Sequence, residues 1–163
     1  MTDLGNNQDI QSYEFPTNGE YNRRQTRSLV FHLLYAMEEH DYTSSLNAII
    51  DEYNRGFDLH ISFDGEIAHI VQGVIEEREK LDKALKPLLE NWRIDRLGAC
   101  TRIVLRMSTW EMLYTDTPSS VIINEAIELS KAFSEKDAYR FVNGVLDKAA
   151  ADIDAIRTRY SEE

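Results

Sequence analysis

Apolar residues recur at helical spacing from Arg23 nearly to the end of the chain. Leu29, Leu33 and Met37 share one face with Val30 and Leu34, which predicts a first helix from about Tyr21 to Glu39. Leu46, Ile49, Ile50 and Tyr53 predict a second, over about Ser44 to Arg55, with Gly56 suited to its end. Ile67, Ile70, Val71, Val74, Ile75, Leu81 and Leu85 predict a long third helix, with Asp64 as its cap. Pro87 disfavours helical geometry at Lys86 and breaks that run. A short fourth helix follows around Leu88 to Trp92.

Asp95 suits the cap of a fifth helix, about Arg96 to Tyr114, whose buried face is Leu97, Cys100, Ile103, Val104, Met107 and Trp110. The turn Asp116-Thr117-Pro118-Ser119 leads into a sixth helix, about Val121 to Phe133. Ser134 to Asp137 has the spacing of a capping box, and a seventh helix follows, burying Phe141, Val142, Val145, Leu146, Ala149, Ile153 and Ile156. Strand signals are poor, since the β-branched run Val121-Ile122-Ile123 leads straight into a helical pattern. The fold class expected is all-α, about seven helices joined by short loops. The break near Pro87 divides residues 22–160 into subdomains of about 22–87 and 88–160.

Residues 1–21 are polar, without a sustained apolar period, and read as a loosely attached extension. They carry Asp3, Asp9, Glu14 and Glu20 and no Lys or Arg. The whole chain of 163 residues has a net charge of −11. That balance argues against indiscriminate wrapping of nucleic acid but leaves room for a local basic site. The single cysteine, Cys100, excludes an intrachain disulfide framework and falls on an apolar stripe, as an inert core thiol would. No apolar run approaches the roughly 18 residues of a membrane span. The start MTDLGNNQDI lacks the basic and apolar segments of a signal peptide, so a cytoplasmic location is expected.

Three arginines, Arg23, Arg24 and Arg27, open the first helix, where the macrodipole favours acids. One reading gives them a phosphate partner; the other pairs them with Glu14, Glu20 or another acidic surface. A second cluster, Lys131, Phe133, Lys136, Tyr139, Arg140 and Phe141, lies between the last two helices. Basic chains and flat rings together suit single-stranded RNA, although the two phenylalanines also suit a core. Asn143-Gly144 falls in mid-helix, where glycine costs about 1 kcal/mol relative to alanine. Close packing is the expected reason there and at Gly73. Arg106 is expected to pair with Glu125 or Glu111 and fix helix register rather than act in catalysis. Glu38, Glu39, His40 and Asp41 read as a solvated helix end rather than a metal site, and no cofactor is implied. No phosphate-binding loop, dinucleotide-binding glycine pattern, glycine-flanked serine or HExxH is present, so no enzyme activity is expected.

Taken together, these motifs resemble a family. Arg23-Arg24-Gln25-Thr26-Arg27, Leu33-Leu34-Tyr35, Val71-Gln72-Gly73-Val74, Ile103-Val104-Leu105-Arg106 and Trp110-Glu111-Met112 occur in order. They are followed by the run from Val121 to Lys131 and by Phe141-Val142-Asn143-Gly144-Val145-Leu146-Asp147. Over about residues 22–155 the chain is similar to the NusB family of bacterial transcription antitermination factors. The resemblance implies two small helical bundles and a non-enzymatic role. It implies pairing with the ribosomal protein NusE, binding of boxA-like single-stranded RNA, and assembly with other Nus factors and RNA polymerase. The outcome implied is read-through of terminators, notably in ribosomal RNA operons. Arg23, Arg24 and Arg27 then stand at an RNA-binding motif, with Gln25 and Thr26 interrupting it. Lys131, Lys136 and Arg140 join them as RNA contacts, and Tyr35, Phe133, Tyr139 and Phe141 as RNA or partner contacts. Ser134 stands where many relatives have glycine. The competing reading is a helical protein–protein scaffold without RNA binding of its own. NusB-like domains also occur fused to RNA cytosine methyltransferases, and a chain of this length is expected to lack that enzyme domain.

Overall fold

The computed structural model describes residues 19–162. Residues 1–18 of the predicted extension lie outside the described residues. Eight α-helices and two 3-10 turns are present among the described residues, and no strand. In chain order they are α1 (Arg23–Glu39), α2 (Leu46–Phe57), α3 (Glu66–Glu76) and α4 (Arg78–Leu85), then the turns Lys86–Leu89 and Ile94–Arg96. The remainder are α5 (Ala99–Tyr114), α6 (Ser119–Phe133), α7 (Ala138–Ala151) and α8 (Ile153–Ser161).

The extra helices arise from two breaks that periodicity does not reveal. The predicted third helix is interrupted at Glu77, whose backbone leaves helical geometry with φ −104° and ψ 13°. Its carboxylate there accepts the hydroxyls of Tyr114 and Tyr160. The Arg78 guanidinium donates to the Ile75 carbonyl at 2.9 Å, satisfying an acceptor freed by the break. The predicted seventh helix is interrupted in the same way at Asp152, φ −107° and ψ 13°. In place of the predicted fourth helix stands the 3-10 turn Lys86–Leu89, with Pro87 in its first turn and Glu90 stopping it at φ 55°.

The chain divides into two compact units between Gln72 and Gly73, inside α3 and upstream of Pro87, where the sequence pattern places the division. In the first unit α1 packs on α2, with Leu29, Leu33, Ile49 and Ile50 essentially inaccessible. The loop after α2 is held by Asn54. Its amide donates to the Ile61 carbonyl at 3.0 Å, and its oxygen accepts the Ile61 N–H at 2.8 Å. Gly56 does not end α2. The left-handed position falls two residues later, on Asp58 at φ 53°. The end of the predicted extension is docked rather than loose: Tyr21 accepts the His60 N–H on its hydroxyl at 3.2 Å.

In the second unit α5, α6 and α7 pack on one another, and α4 and α8 pack against α5. Helix α5 is central. It buries Thr101, Ser108 and Thr109 as well as Ile103, Val104, Leu105, Met107 and Trp110, so its burial is broader than the predicted face. Cys100 is only half-buried. Asp95 does not cap α5; it chelates Arg93 at 2.8 and 3.1 Å.

Gly73 is a packing glycine, as expected. A Cβ there would lie 2.9 Å from the Trp110 indole. Gly144 is not: a Cβ there would meet no atom within 4 Å among the described residues. The predicted pairing of Arg106 acquires a partner that sequence spacing does not indicate. Asp82 of α4 accepts from Arg106 Nε at 2.7 Å and from Nη2 at 2.8 Å, a two-pronged ion pair between α4 and α5. Arg106, Glu111 and Glu125 are each engaged in at least one further interaction.

Candidate nucleic-acid interface

The arginine group sits on the first turns of α1, and the local sequence explains why that terminus tolerates it. Asn22 Oδ1 accepts the Gln25 N–H at 2.8 Å, and Gln25 Oε1 accepts the Asn22 N–H at 3.0 Å. This reciprocal box satisfies two of the orphan donors with neutral groups, so the terminus needs no acid, and its first turn has none. The sequence carries that signal as Asn followed three residues later by Gln.

The three arginines occupy different environments. Arg23 Nη1 pairs with Glu66 at 2.6 Å, with both side chains more than half exposed. Arg23 thus has an acidic surface partner, Glu66, whereas Glu14 lies outside the described residues. Arg24 is half-buried and engaged. Arg27 is only 8% exposed, so its guanidinium belongs to the edge of the core. Further along the same helical row, Tyr35 stacks on buried Phe31 with centroids 6.4 Å apart.

The second group lies wholly in the second unit, at the α6–α7 corner. Ser134 ends α6 in extended geometry, and Asp137 takes the left-handed region at φ 66°. The predicted capping box does not form. Asp137, not Ser134, precedes α7, and the buried Ser134 hydroxyl has no hydrogen-bond partner among the described residues. The corner nevertheless gathers the predicted side chains around one ring. Lys131 Nζ lies 4.9 Å from the Tyr139 centroid, the Arg140 guanidinium carbon 5.7 Å, and Arg140 Nε donates to the Tyr139 hydroxyl at 3.2 Å. That hydroxyl raises the Arg140 pKa further above its ordinary value, so the group is a permanent cation. Lys136 is exposed, whereas Phe133 and Phe141 are half-buried. Phe141 meets an aromatic that the periodic pattern does not mark: Trp92, 58% exposed, with rings edge to face at 5.9 Å. Trp92 stands in a loop at the end of the predicted fourth helix, where no repeat singles it out.

The α6–α7 corner offers cations beside a flat ring. The fold is that of an all-helical protein with exposed cations beside aromatic rings. The NusB family pattern matches residues 24–151. The chain is 40% identical over 125 residues to the transcription antitermination protein NusB of Staphylococcus aureus (strain bovine RF122 / ET3-1), covering 76% of this chain and 95% of that one. Among solved structures, Thermotoga maritima NusB superposes with a TM-score of 0.72 at 30% identity, over 82% of this chain and 93% of its own. A chain in a structure of antitermination factors NusB and NusE with double-stranded RNA shares the fold. Its TM-score is 0.66 at 23% identity, over 85% of this chain and 97% of that one. The chain belongs to the NusB family.

Proposed function

We propose that this protein is an antitermination factor that binds boxA-like single-stranded RNA together with the ribosomal protein NusE. With other Nus factors it joins RNA polymerase in the cytoplasm and promotes read-through, notably in ribosomal RNA operons. Its role is binding rather than catalysis, carried out by residues 22–160 as one RNA-binding region in two helical parts. No helix among the described residues is long and apolar enough to cross a membrane.

Beyond family membership, the observation that carries this reading is the acid-free, neutrally capped start of α1 with exposed Arg23. Exposed pairs such as Arg23–Glu66 contribute about 0–1 kcal/mol, so a phosphate can displace the carboxylate at little cost. In this reading Arg23, Arg24, Lys131, Lys136 and Arg140 meet phosphates. Tyr35, Phe133, Tyr139 and Phe141 meet bases or the protein partner. Arg27 acts from the core edge by holding the first turns in place.

The test is titration of labelled boxA RNA with the protein, with and without NusE, at two salt concentrations. Arg23→Gln with Arg24→Gln should lower the salt slope by about 1.4, at about 0.7 for each phosphate no longer neutralised. Capture of NusE should be unaffected. Arg27 is left intact because its burial would confound the result. Unchanged RNA affinity would favour the scaffold reading, which the burial of Arg27 and the pairing of Arg23 otherwise support.

A further inference from the structure

A second basic and aromatic site lies in the second unit, away from the α6–α7 corner in sequence. Lys80 and Lys83 of α4, Pro87 of the following turn, and Ile156, Arg159 and Tyr160 of α8 line a groove of about 250 Å³. Arg159 and Tyr160 fall beyond residues 24–151, so the family pattern does not span the whole groove.

Its aromatic wall is fixed. The Tyr160 hydroxyl donates to Glu77 at 3.1 Å, Tyr114 meets its ring edge to face at 6.3 Å, and Lys80 Nζ lies 4.9 Å from its centroid. Burial, reinforced by the Glu77 carboxylate, pushes the Tyr160 hydroxyl well above its ordinary pKa, so it remains a neutral donor. A ring held this way presents a constant flat surface at little conformational cost. The rim is cationic in an acidic protein. Arg159 pairs with exposed Asp152 at 3.3 Å, and such a carboxylate yields readily to a stronger anion.

We infer that this groove takes one nucleotide unit of single-stranded RNA, with its phosphate among Lys80, Lys83 and Arg159 and its base against Pro87 and the Tyr160 ring. The volume sits just below the range of drug-sized ligand pockets, which suits one base and not a larger ligand. Flat apolar surface beside cations is the chemistry of sequence-tolerant RNA contact. An acidic peptide would use the cations but leave the flat wall without a function. The inference rests on the RNA-binding reading above and lengthens the RNA track that reading requires.

The experiment titrates labelled single-stranded RNA, about 12 and about 24 nucleotides long, with the full chain and NusE at several salt concentrations. Lys83→Gln with Arg159→Gln should lower the salt slope on the longer RNA by about 0.7, for the one phosphate the groove no longer neutralises. The wild type should then lose about 2.6-fold more affinity than the variant between about 50 and about 200 mM salt. Lys83→Arg should keep the wild-type slope. A control carrying Arg55→Gln and Arg93→Gln, exposed cations elsewhere, should leave it unchanged. Thermal unfolding of each variant verifies the fold. An unchanged slope in the groove variant overturns this site while leaving the proposed function intact. Equal loss with the control pair overturns it too, because net charge alone would explain the effect. A polyglutamate peptide that competes for the groove as strongly as RNA would overturn the nucleotide assignment. Absence of any RNA binding by the wild type would remove both readings.

Discussion

Replacing Asp82 by asparagine tests whether the ion pair between α4 and α5 holds the second unit together. The substitution keeps shape and removes charge. Arg106 is about 10% exposed and Asp82 about 25% at the side chain, with both bonds under 2.9 Å. Removing one partner of a buried pair costs about 3–5 kcal/mol, because the other charge stays buried. Two features lower that figure here: water reaches the Asp82 side, and Arg106 has interactions besides this pair. A loss of about 2–3 kcal/mol is expected. At about 2–4 °C per kcal/mol for a chain of this size, melting should fall by about 5–10 °C. Circular dichroism follows the unfolding, and urea titration supplies the free energy. A double-mutant cycle with Arg106→Met should return a coupling of about 2 kcal/mol. The variant Asp82→Leu/Arg106→Met should lose less than Arg106→Met or Asp82→Asn alone, since it buries no orphan charge. A melting shift below about 2 °C in Asp82→Asn, or no coupling in the cycle, would refute the reasoning.

Gly73→Ala should destabilise by about 1–2 kcal/mol in urea, because overpacking against buried Trp110 exceeds the helix-propensity gain. Gly144→Ala should stabilise by up to about 1 kcal/mol, since no atom of the described residues within 4 Å opposes the new methyl; reduced stability there would contradict the propensity argument. Burial holds the His32 imidazole below its ordinary 6.5, so the unfolded chain takes up that proton first. Stability from this group is therefore full above about pH 6.5 and falls as pH drops towards the folded value. His32→Gln should make the urea midpoint less sensitive to pH between about 7 and about 5.5; equal sensitivity in both proteins would contradict the burial argument.

The helical class was legible because apolar residues such as Leu29, Leu33 and Met37 repeat over many turns and no strand pattern competes. The breaks at Glu77 and Asp152 were not. Neither is a proline or glycine, and Glu77 finds its tyrosine partners 37 and 83 residues away. Capping was legible only where the motif was local and complete: Asn22 with Gln25 caps α1, while Ser134 has the spacing but not the geometry. The arginines were legible as a cluster but not in their burial. Arg23 and Arg27 lie one turn apart, and that turn separates an exposed ion pair from the edge of the core. Asp82 does not stand out in the sequence, because a long helix running through Glu77 gives no reason to single out one of its many acids.

The acidity of the chain bears on how its cations can serve RNA at all. Arg23 is met by Glu66, Lys131 by Glu128 at 4.0 Å, Lys148 by Glu90 and Arg159 by Asp152, all on exposed side chains. Exposed pairs of this kind are screened by water, so they do not lock the cation away. They do cancel the cation's field beyond the Debye length of about 8 Å at physiological salt. A distant polyanion therefore meets a net charge of −11, whereas a phosphate at contact distance meets an available guanidinium or ammonium. On the proposed function, such a surface should discriminate against random nucleic acid, whose capture relies on long-range attraction, and favour RNA already delivered to it. Delivery then falls to a basic partner. On this argument NusE should raise the rate of RNA association far more than it slows dissociation. Stopped-flow titration with labelled boxA RNA separates the two. An association rate unaffected by NusE would show that the local cations attract RNA on their own and would overturn the argument.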